Sequence, residues 1–169
     1  MSMKPFQFSI DLPVLNHWRN VDLLLTSVQS CFVAIFADVD GCNAIAMVTG
    51  ELVENAVKYG YWSGDDKHFR LRINGRHGSV VVQVENPVDP ANPQLHKLEA
   101  TLRWIDEFPS PEAAYRAKLL EIASQPGMSS GLGLVRCAYE GSSTLRAELI
   151  EANALRVVAE MTFWPPTRS

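Results

Sequence analysis

Two short motifs, far apart in this chain of 169 residues, constrain what it can fold into. The first, at 51–60, reads ELVENAVKYG. On a helix it places Glu51 and Asn55 on one face, because side chains four positions apart are neighbours. The second, at 127–134, reads GMSSGLGL and is a glycine-rich loop running into an apolar helix. Backbone amides at such a helix start receive phosphate oxygens, so the two motifs together predict a nucleotide site.

Sequence periodicity predicts five strands. The segments with strand-like alternation or composition are 6–10, 69–73, 79–84, 143–150 and 155–163. The turn-rich connection at 74–78 is typical of a hairpin, and residues 151–153 separate the last pair of strands. Helices are predicted at about 21–37 and about 43–59, with Asp38 to Gly41 as the turn between them.

A proline-punctuated segment between Pro87 and Ser130 interrupts this pattern. It leaves two helix-sized pieces at about 94–107 and 112–124. The second piece begins with Ser110-Pro111, a capping residue followed by proline in the first turn. The segment is open to two interpretations, a lid over a bound ligand or a docking surface for a protein.

Strands and helices therefore segregate along the chain instead of alternating strictly. This order predicts an α+β protein, a two-layer sandwich with a mixed or antiparallel sheet of about five strands and helices on one face. With 47% hydrophobic residues, the chain can bury one core but is short for two. We expect a single domain spanning residues 1–169.

Charge and cysteine content exclude several classes of function. The net charge is −4 with both signs interspersed, which argues against nucleic-acid binding. Cys31, Cys42 and Cys137 lack Cys-x-x-Cys spacing, so neither a disulfide framework nor a zinc site is expected. The N-terminus lacks a secretory signal, and the longest apolar stretch, 23–37, is broken by polar residues and falls short of a membrane span. A cytoplasmic protein without a membrane segment is predicted.

The two motifs resemble those of the GHKL family of ATP-binding domains, which share the Bergerat fold. The resemblance implies that Glu51 is the catalytic glutamate, activating the attacking group, and that the side-chain oxygen of Asn55 binds Mg²⁺. Lys58 or Tyr59 would extend the same stripe toward the ligand. The implied cofactors are ATP and Mg²⁺.

The glycine-rich motif resembles the phosphate-binding box of that family. The residues implied to wrap the phosphates are Ser129, Ser130, Gly131, Leu132, Gly133 and Leu134. The family's adenine-binding aspartate aligns with Asn86, whose amide oxygen can accept from the adenine amine, with Pro87 and Val88 where a flexible turn is expected. Asn-Pro is also a plain turn former, and Asp89 is the alternative if the register differs. The segment at about 87–130 occupies the position of the ATP lid.

Within the family, a free-standing domain of this size looks most like the small anti-sigma-factor serine/threonine kinases of bacterial partner-switching systems. The resemblance implies phosphorylation of a small STAS-domain antagonist, and binding of a sigma factor or another output protein. Two alternatives remain open: a non-catalytic nucleotide-binding regulator that sequesters a partner, and an ATPase with water as the acceptor. The apolar residues of the first helix, Leu23 to Phe36, would suit a contact in a homodimer.

Overall fold

An antiparallel sheet and five helices build the protein. The structure is a computed structural model that describes residues 5–13, 21–35, 39–64, 67–76, 78–125 and 131–163. In chain order, the elements are β1 (Phe6–Pro13), α1 (Val21–Ile35), α2 (Val39–Tyr59), β2 (His68–Arg76), β3 (Ser79–Pro87), α3 (Pro93–Asp106), α4 (Pro111–Ser124), α5 (Leu132–Tyr139), β4 (Ser143–Glu151) and β5 (Ala154–Thr162).

The sheet has the strand order β1-β2-β3-β5-β4. Every neighbouring pair is antiparallel, so the structure selects the antiparallel arrangement from the two that the sequence left open. The predicted α+β sandwich with five strands is confirmed. A β-bulge between Leu149 and Glu151 interrupts the register of β4 with β5.

One hydrophobic core lies between the sheet and the helical layer. In β2, Phe69 and Ile73 are buried, whereas the alternate residue Arg72 is exposed, as expected for a sheet covered on one face. Ile45 and Leu52 of α2 belong to the same buried cluster. All five helices contribute to that cluster, so the helical layer is fixed to the sheet by apolar burial.

The segment between α1 and α2 corrects one prediction. Val39, Asp40 and Gly41 were expected in a turn, but α2 already begins at Val39. Asp40 lies in the first turn, where a carboxylate interacts favourably with the positive end of the helix dipole, and Gly41 is buried. The predicted continuation of α1 to Ala37 lies outside the described residues.

Strand boundaries also differ from the prediction. β1 continues past Ile10 to Pro13 because its whole length pairs with β2, and β2 continues to Arg76 because Arg76 pairs with Ser79 of β3. β3 continues to Pro87 and pairs with β5 up to its last residue. The predicted hairpin between β2 and β3 is confirmed, with a shorter connection than expected.

Both helices predicted in the insert are present. Ser110 caps α4 by accepting a hydrogen bond from the amide of Ala113 at 3.2 Å, and Pro111 occupies the first turn, as predicted. α3 begins in the same way, with Asn92 accepting from the amide of Gln94 at 2.9 Å. All three cysteines are free. Among the described residues, no helix is long and apolar enough to cross a membrane.

Candidate functional site

The C-terminal half of α2 carries the two polar residues of the first motif. Leu52, Val53 and Ala56 are buried and hold this part of the helix against the core. Glu51 and Asn55 lie on the adjacent face and are both partly exposed. The helix thus presents a carboxylate and a carboxamide at the border between core and solvent.

Gly133 brings the second motif into direct contact with the first. A Cβ built at Gly133 would overlap the carboxylate of Glu51. The backbone of α5 at Gly133 therefore lies against the end of the Glu51 side chain, and a larger residue there would displace the carboxylate from this position. Two motifs that are distant in sequence thus meet at the contact between α2 and α5.

Arg136, one turn further along α5, forms an ion pair with Glu51. Its Nη1 lies 3.0 Å from Oε1 of Glu51, and its Nη2 lies 3.2 Å from Oε2 of Glu140. The hydroxyl of Tyr115, on α4, donates to Oε1 of Glu140 at 3.0 Å. A continuous polar chain therefore runs from α4 through α5 to the carboxylate of Glu51.

Burial perturbs the acidity of this region. Desolvation raises the pKa of the Glu51 carboxyl, Arg136 opposes that shift, and the negative charges of Glu54 and Glu140 add to it. Burial is also the main cause of the raised pKa of the neighbouring Cys137 thiol. Cys137 is therefore unsuited to nucleophilic chemistry, whereas a carboxylate with a raised pKa is a better proton acceptor.

A cation lies beside the start of α5. Gly131, the residue before the helix, adopts a left-handed conformation with φ of 52°. Lys118 of α4 lies nearby, with its Nζ 3.9 Å from where a Cβ of Gly131 would be. Glu121 at 2.9 Å and the ring of Trp104, 5.0 Å away, hold this ammonium group. A helix N-terminus with a neighbouring cation has the electrostatics of a phosphate site.

The start of α5, Lys118 and Asn55 have the chemistry that the ATP and Mg²⁺ implied by the family resemblance would need. No cluster of histidine, cysteine and acidic residues that could hold a metal occurs in the described part of the chain. Mg²⁺ in nucleotide sites is bound chiefly by phosphates and water, with few protein oxygens. The single carboxamide of Asn55 is consistent with that mode.

The predicted adenine turn is not a flexible loop. Asn86 and Pro87 belong to β3, and Asn86 is buried with its side-chain amide donating to the carbonyl of Pro87 at 3.1 Å. The same carbonyl accepts from the amide of Tyr61 at 2.8 Å, which ties β3 to the segment after α2. The amide of buried Val88 donates to the carbonyl of Asn153 at 2.8 Å. Pro87 and Val88, which stand where the family has a flexible turn, are thus both buried and held by hydrogen bonds to neighbouring backbone.

Asp89, the alternative adenine contact, is exposed. One of its carboxylate oxygens accepts from the amide of Ala91 at 2.9 Å, which forms a local turn at the start of the insert. This hydrogen bond gives Asp89 a structural role.

The remaining predicted residues fall into three groups. Lys58 is exposed and lies over the ring of Tyr59, 5.1 Å from its centroid, at the end of α2. Leu132 is partly buried, and Leu134 is buried in the core. Ser129 and Ser130 lie outside the described residues.

Sequence reasoning missed three residues of the candidate site, Lys118, Glu121 and Tyr115. Lys118 and Glu121 read as an ordinary pair on a helix surface, because nothing in the spacing of α4 shows that its face lies beside Gly131. Tyr115 belongs to no recognisable sequence motif. Its contribution depends on how α4 packs against α5, which only the tertiary structure provides.

Comparison with known proteins shows a likeness of fold. No family model matches the sequence, and no curated protein matches it significantly. Among solved structures, the chain is similar to a chain in the crystal structure of the SiaB-SiaC complex from Pseudomonas aeruginosa. The TM-score is 0.69 at 20% sequence identity, over 91% of this chain and 88% of that chain. At this identity the likeness shows a shared fold.

Proposed function

We propose that the protein is an ATP-binding serine/threonine protein kinase of the anti-sigma-factor type, acting on a small STAS-domain partner. The observation that carries the proposal is the packing of Glu51 against Gly133. It joins a candidate general base to a candidate phosphate-binding helix start, although the two motifs are distant in sequence. Neither motif alone would distinguish a nucleotide site from an ordinary helix contact.

In the proposed reaction, Glu51 orients the acceptor hydroxyl and takes its proton as the phosphoryl group is transferred. Its desolvated carboxylate is a stronger base than an exposed glutamate. The backbone amides at the start of α5 would bind phosphate oxygens, and Lys118 would add positive charge beside them. Asn55 would hold Mg²⁺ through its amide oxygen. Bound MgATP supplies the phosphoryl group together with the metal that neutralises its charge.

A protein partner is part of the proposal. The fold neighbour comes from a complex of two proteins, which supports a chain of this fold working through a protein contact. The insert offers a surface for such a contact, because Leu119 and Leu120 of α4 are exposed large apolar residues. α4 also carries Lys118, so a partner bound there would lie close to the proposed phosphate site.

Calorimetric titration with ATP, with and without Mg²⁺, tests the nucleotide site. We expect Mg²⁺ to strengthen binding in the wild type and Asn55→Ala to lose that Mg²⁺ response. Asn74→Ala is the matched control, since Asn74 is an exposed asparagine of β2 remote from α5. Absence of ATP binding to the wild type would contradict the proposal, as would an intact Mg²⁺ response in Asn55→Ala.

A non-catalytic regulator is the second candidate function. The side chain of Asn86 is buried and already donates to the carbonyl of Pro87. It is therefore poorly placed to recognise the base of a nucleotide, which favours this second candidate. A regulator of this kind would bind nucleotide and a partner without transferring phosphate. Incubation with labelled MgATP and a purified STAS-domain protein distinguishes the classes: labelled protein indicates a kinase, free phosphate an ATPase, and intact ATP a regulator.

A further inference from the structure

The ion pair between Arg136 and Glu51 continues on the arginine side to Glu140 and Tyr115, which gives it a role beyond holding two helices together. Arg136 is shared between Glu51 at 3.0 Å and Glu140 at 3.2 Å. Glu140 in turn accepts from the hydroxyl of Tyr115 at 3.0 Å. Tyr115 belongs to α4, the second helix of the insert, so the chain of contacts links the insert to the carboxylate.

We infer that Arg136 is a positioning residue for Glu51, and that Tyr115 holds Arg136 in place through Glu140. The inference rests on the proposed function, in which Glu51 is the base. Arg136 keeps the carboxylate directed along the face of Gly133, from which a larger side chain would displace it. A partly buried carboxylate without this cation would turn toward solvent or take up a proton.

The arrangement of charge around Glu51 makes the role of Arg136 measurable. Among the described residues, Arg136 is the one cation that shifts the pKa of Glu51, and it acts against desolvation and against the charges of Glu54 and Glu140. The negative charge of Glu51 also contributes to the raised pKa of Cys137, but burial is the larger cause of that shift. The other elements packed on α2, namely α1 and β3, contribute buried apolar side chains such as Phe32 and Val82. Removing the cation therefore leaves only influences that favour the protonated acid.

The test combines two readouts on Arg136→Met, which keeps much of the side-chain volume and loses the charge. The first is the titration midpoint of the Glu51 carboxyl, followed by carbon-13 NMR and assigned with Glu51→Gln. We expect this midpoint to move to higher pH. The second is hydrolysis of MgATP by the protein alone, with water as the acceptor. The acid limb of its pH profile should move in the same direction, so that the rate falls at acidic pH and is little changed well above the midpoint.

Three further variants separate positioning from a merely structural role. Arg136→Lys keeps the charge and should restore most of the acid limb, although it loses the planar fork of the guanidinium. Tyr115→Phe removes only the hydroxyl and should move the midpoint in the same direction by less. Arg146→Met is the matched control, because Arg146 pairs with Glu160 at 3.7 Å on the opposite face of the sheet. It should leave the midpoint and the rate unchanged.

The outcomes separate failure of this inference from failure of the proposed function. An unchanged midpoint in Arg136→Met overturns the inference, whether or not the protein binds ATP. A rate that falls equally at every pH, with weaker MgATP binding, also overturns it, because Arg136 would then act on the phosphates. A midpoint that moves in a protein that fails to bind MgATP refutes the proposed function and reduces the contact to a structural ion pair. A shifted midpoint and a matching acid limb support both.

Discussion

Glu51 and Glu85 are two poorly exposed glutamates, each paired with arginine, and they differ in how completely they are satisfied. On the outer face of the sheet, the Glu85 side chain is 8% exposed. It accepts from Arg156 at 2.9 Å and from Gln83 at 2.8 Å, with Arg70 3.7 Å away. The Glu51 side chain is 21% exposed and has one strong cationic contact, with Arg136.

The difference assigns the two carboxylates to different tasks. Glu85 has two arginines of neighbouring strands and the amide of Gln83, on its own strand, around it, so its oxygens are committed to bonds within the sheet. Glu51 keeps an exposed fraction, a raised pKa and a position beside Gly133 near the start of α5. A carboxylate that is partly desolvated and incompletely paired is available for proton transfer, whereas a fully paired one stabilises the fold.

Replacing Glu51 with Gln should have the largest effect on activity. Under the proposed function, loss of the general base lowers phosphoryl transfer by about 10²- to 10⁴-fold. MgATP binding should persist, because the amide keeps the side-chain volume. Transfer of label from ATP to the STAS-domain substrate measures the effect, and wild-type rates in the variant would remove Glu51 from the mechanism.

Glu51→Gln should lower activity without lowering the stability of the protein at neutral pH. Because the pKa of Glu51 is raised above its ordinary value of 4.5, the folded protein binds more protons than the unfolded chain between the two values. The contribution of Glu51 to stability is therefore present at low pH and is lost as pH rises through that window. At pH 7, Glu51→Gln should be at least as stable as the wild type in urea unfolding.

Replacing Glu85 with Gln should lower the stability of the protein and leave its nucleotide affinity unchanged. The variant weakens the charged hydrogen bonds that the poorly exposed Glu85 accepts from Arg156, which costs about 1–3 kcal/mol of unfolding free energy. Urea unfolding measures the loss, while MgATP affinity should not change. Equal stability of the Glu51→Gln and Glu85→Gln variants would contradict the different roles given to the two carboxylates.

Thr49 provides the smallest and most specific test. It lies on α2, two residues before Glu51, and is fully buried. Within the described part of the chain, its hydroxyl is the buried side-chain group without a hydrogen-bond partner. Thr49→Val removes this unsatisfied group at nearly constant shape and should raise the unfolding free energy by about 1 kcal/mol. Thr144→Val, at an exposed position of β4, is the control. A loss of MgATP affinity in Thr49→Val would extend the functional region of α2 to this hydroxyl.

The sequence predicted elements better than contacts. Alternation at 69–73 and the Ser110-Pro111 start identified β2 and α4, because strand burial and helix capping are local effects. The start of α2 was misjudged, since Asp40 and Gly41 favour turns in isolation, and the burial of Gly41 in the folded chain overrides that preference.

The candidate site was predictable only in part, for a physical reason. The spacing of Glu51 and Asn55 on one helix face follows from helix geometry. The pairing of Arg136 with Glu51 joins residues 85 positions apart and depends on the close approach that Gly133 permits. The ordered position of Asn86 could not be read from Asn-Pro, because it results from pairing with β5.

The order of strands in the sheet has a consequence for how the protein folds. β2–β3 and β4–β5 are hairpins between consecutive strands, whereas β3 meets β5 only across the segment that contains α3, α4 and α5. Local hairpins close quickly, and pairing across a long segment is slow because chain entropy is lost before contacts form. α5 lies within the bridged segment, so Gly133 is expected to reach Glu51 in that late step. During refolding, strand signals should therefore appear before the protein can bind nucleotide.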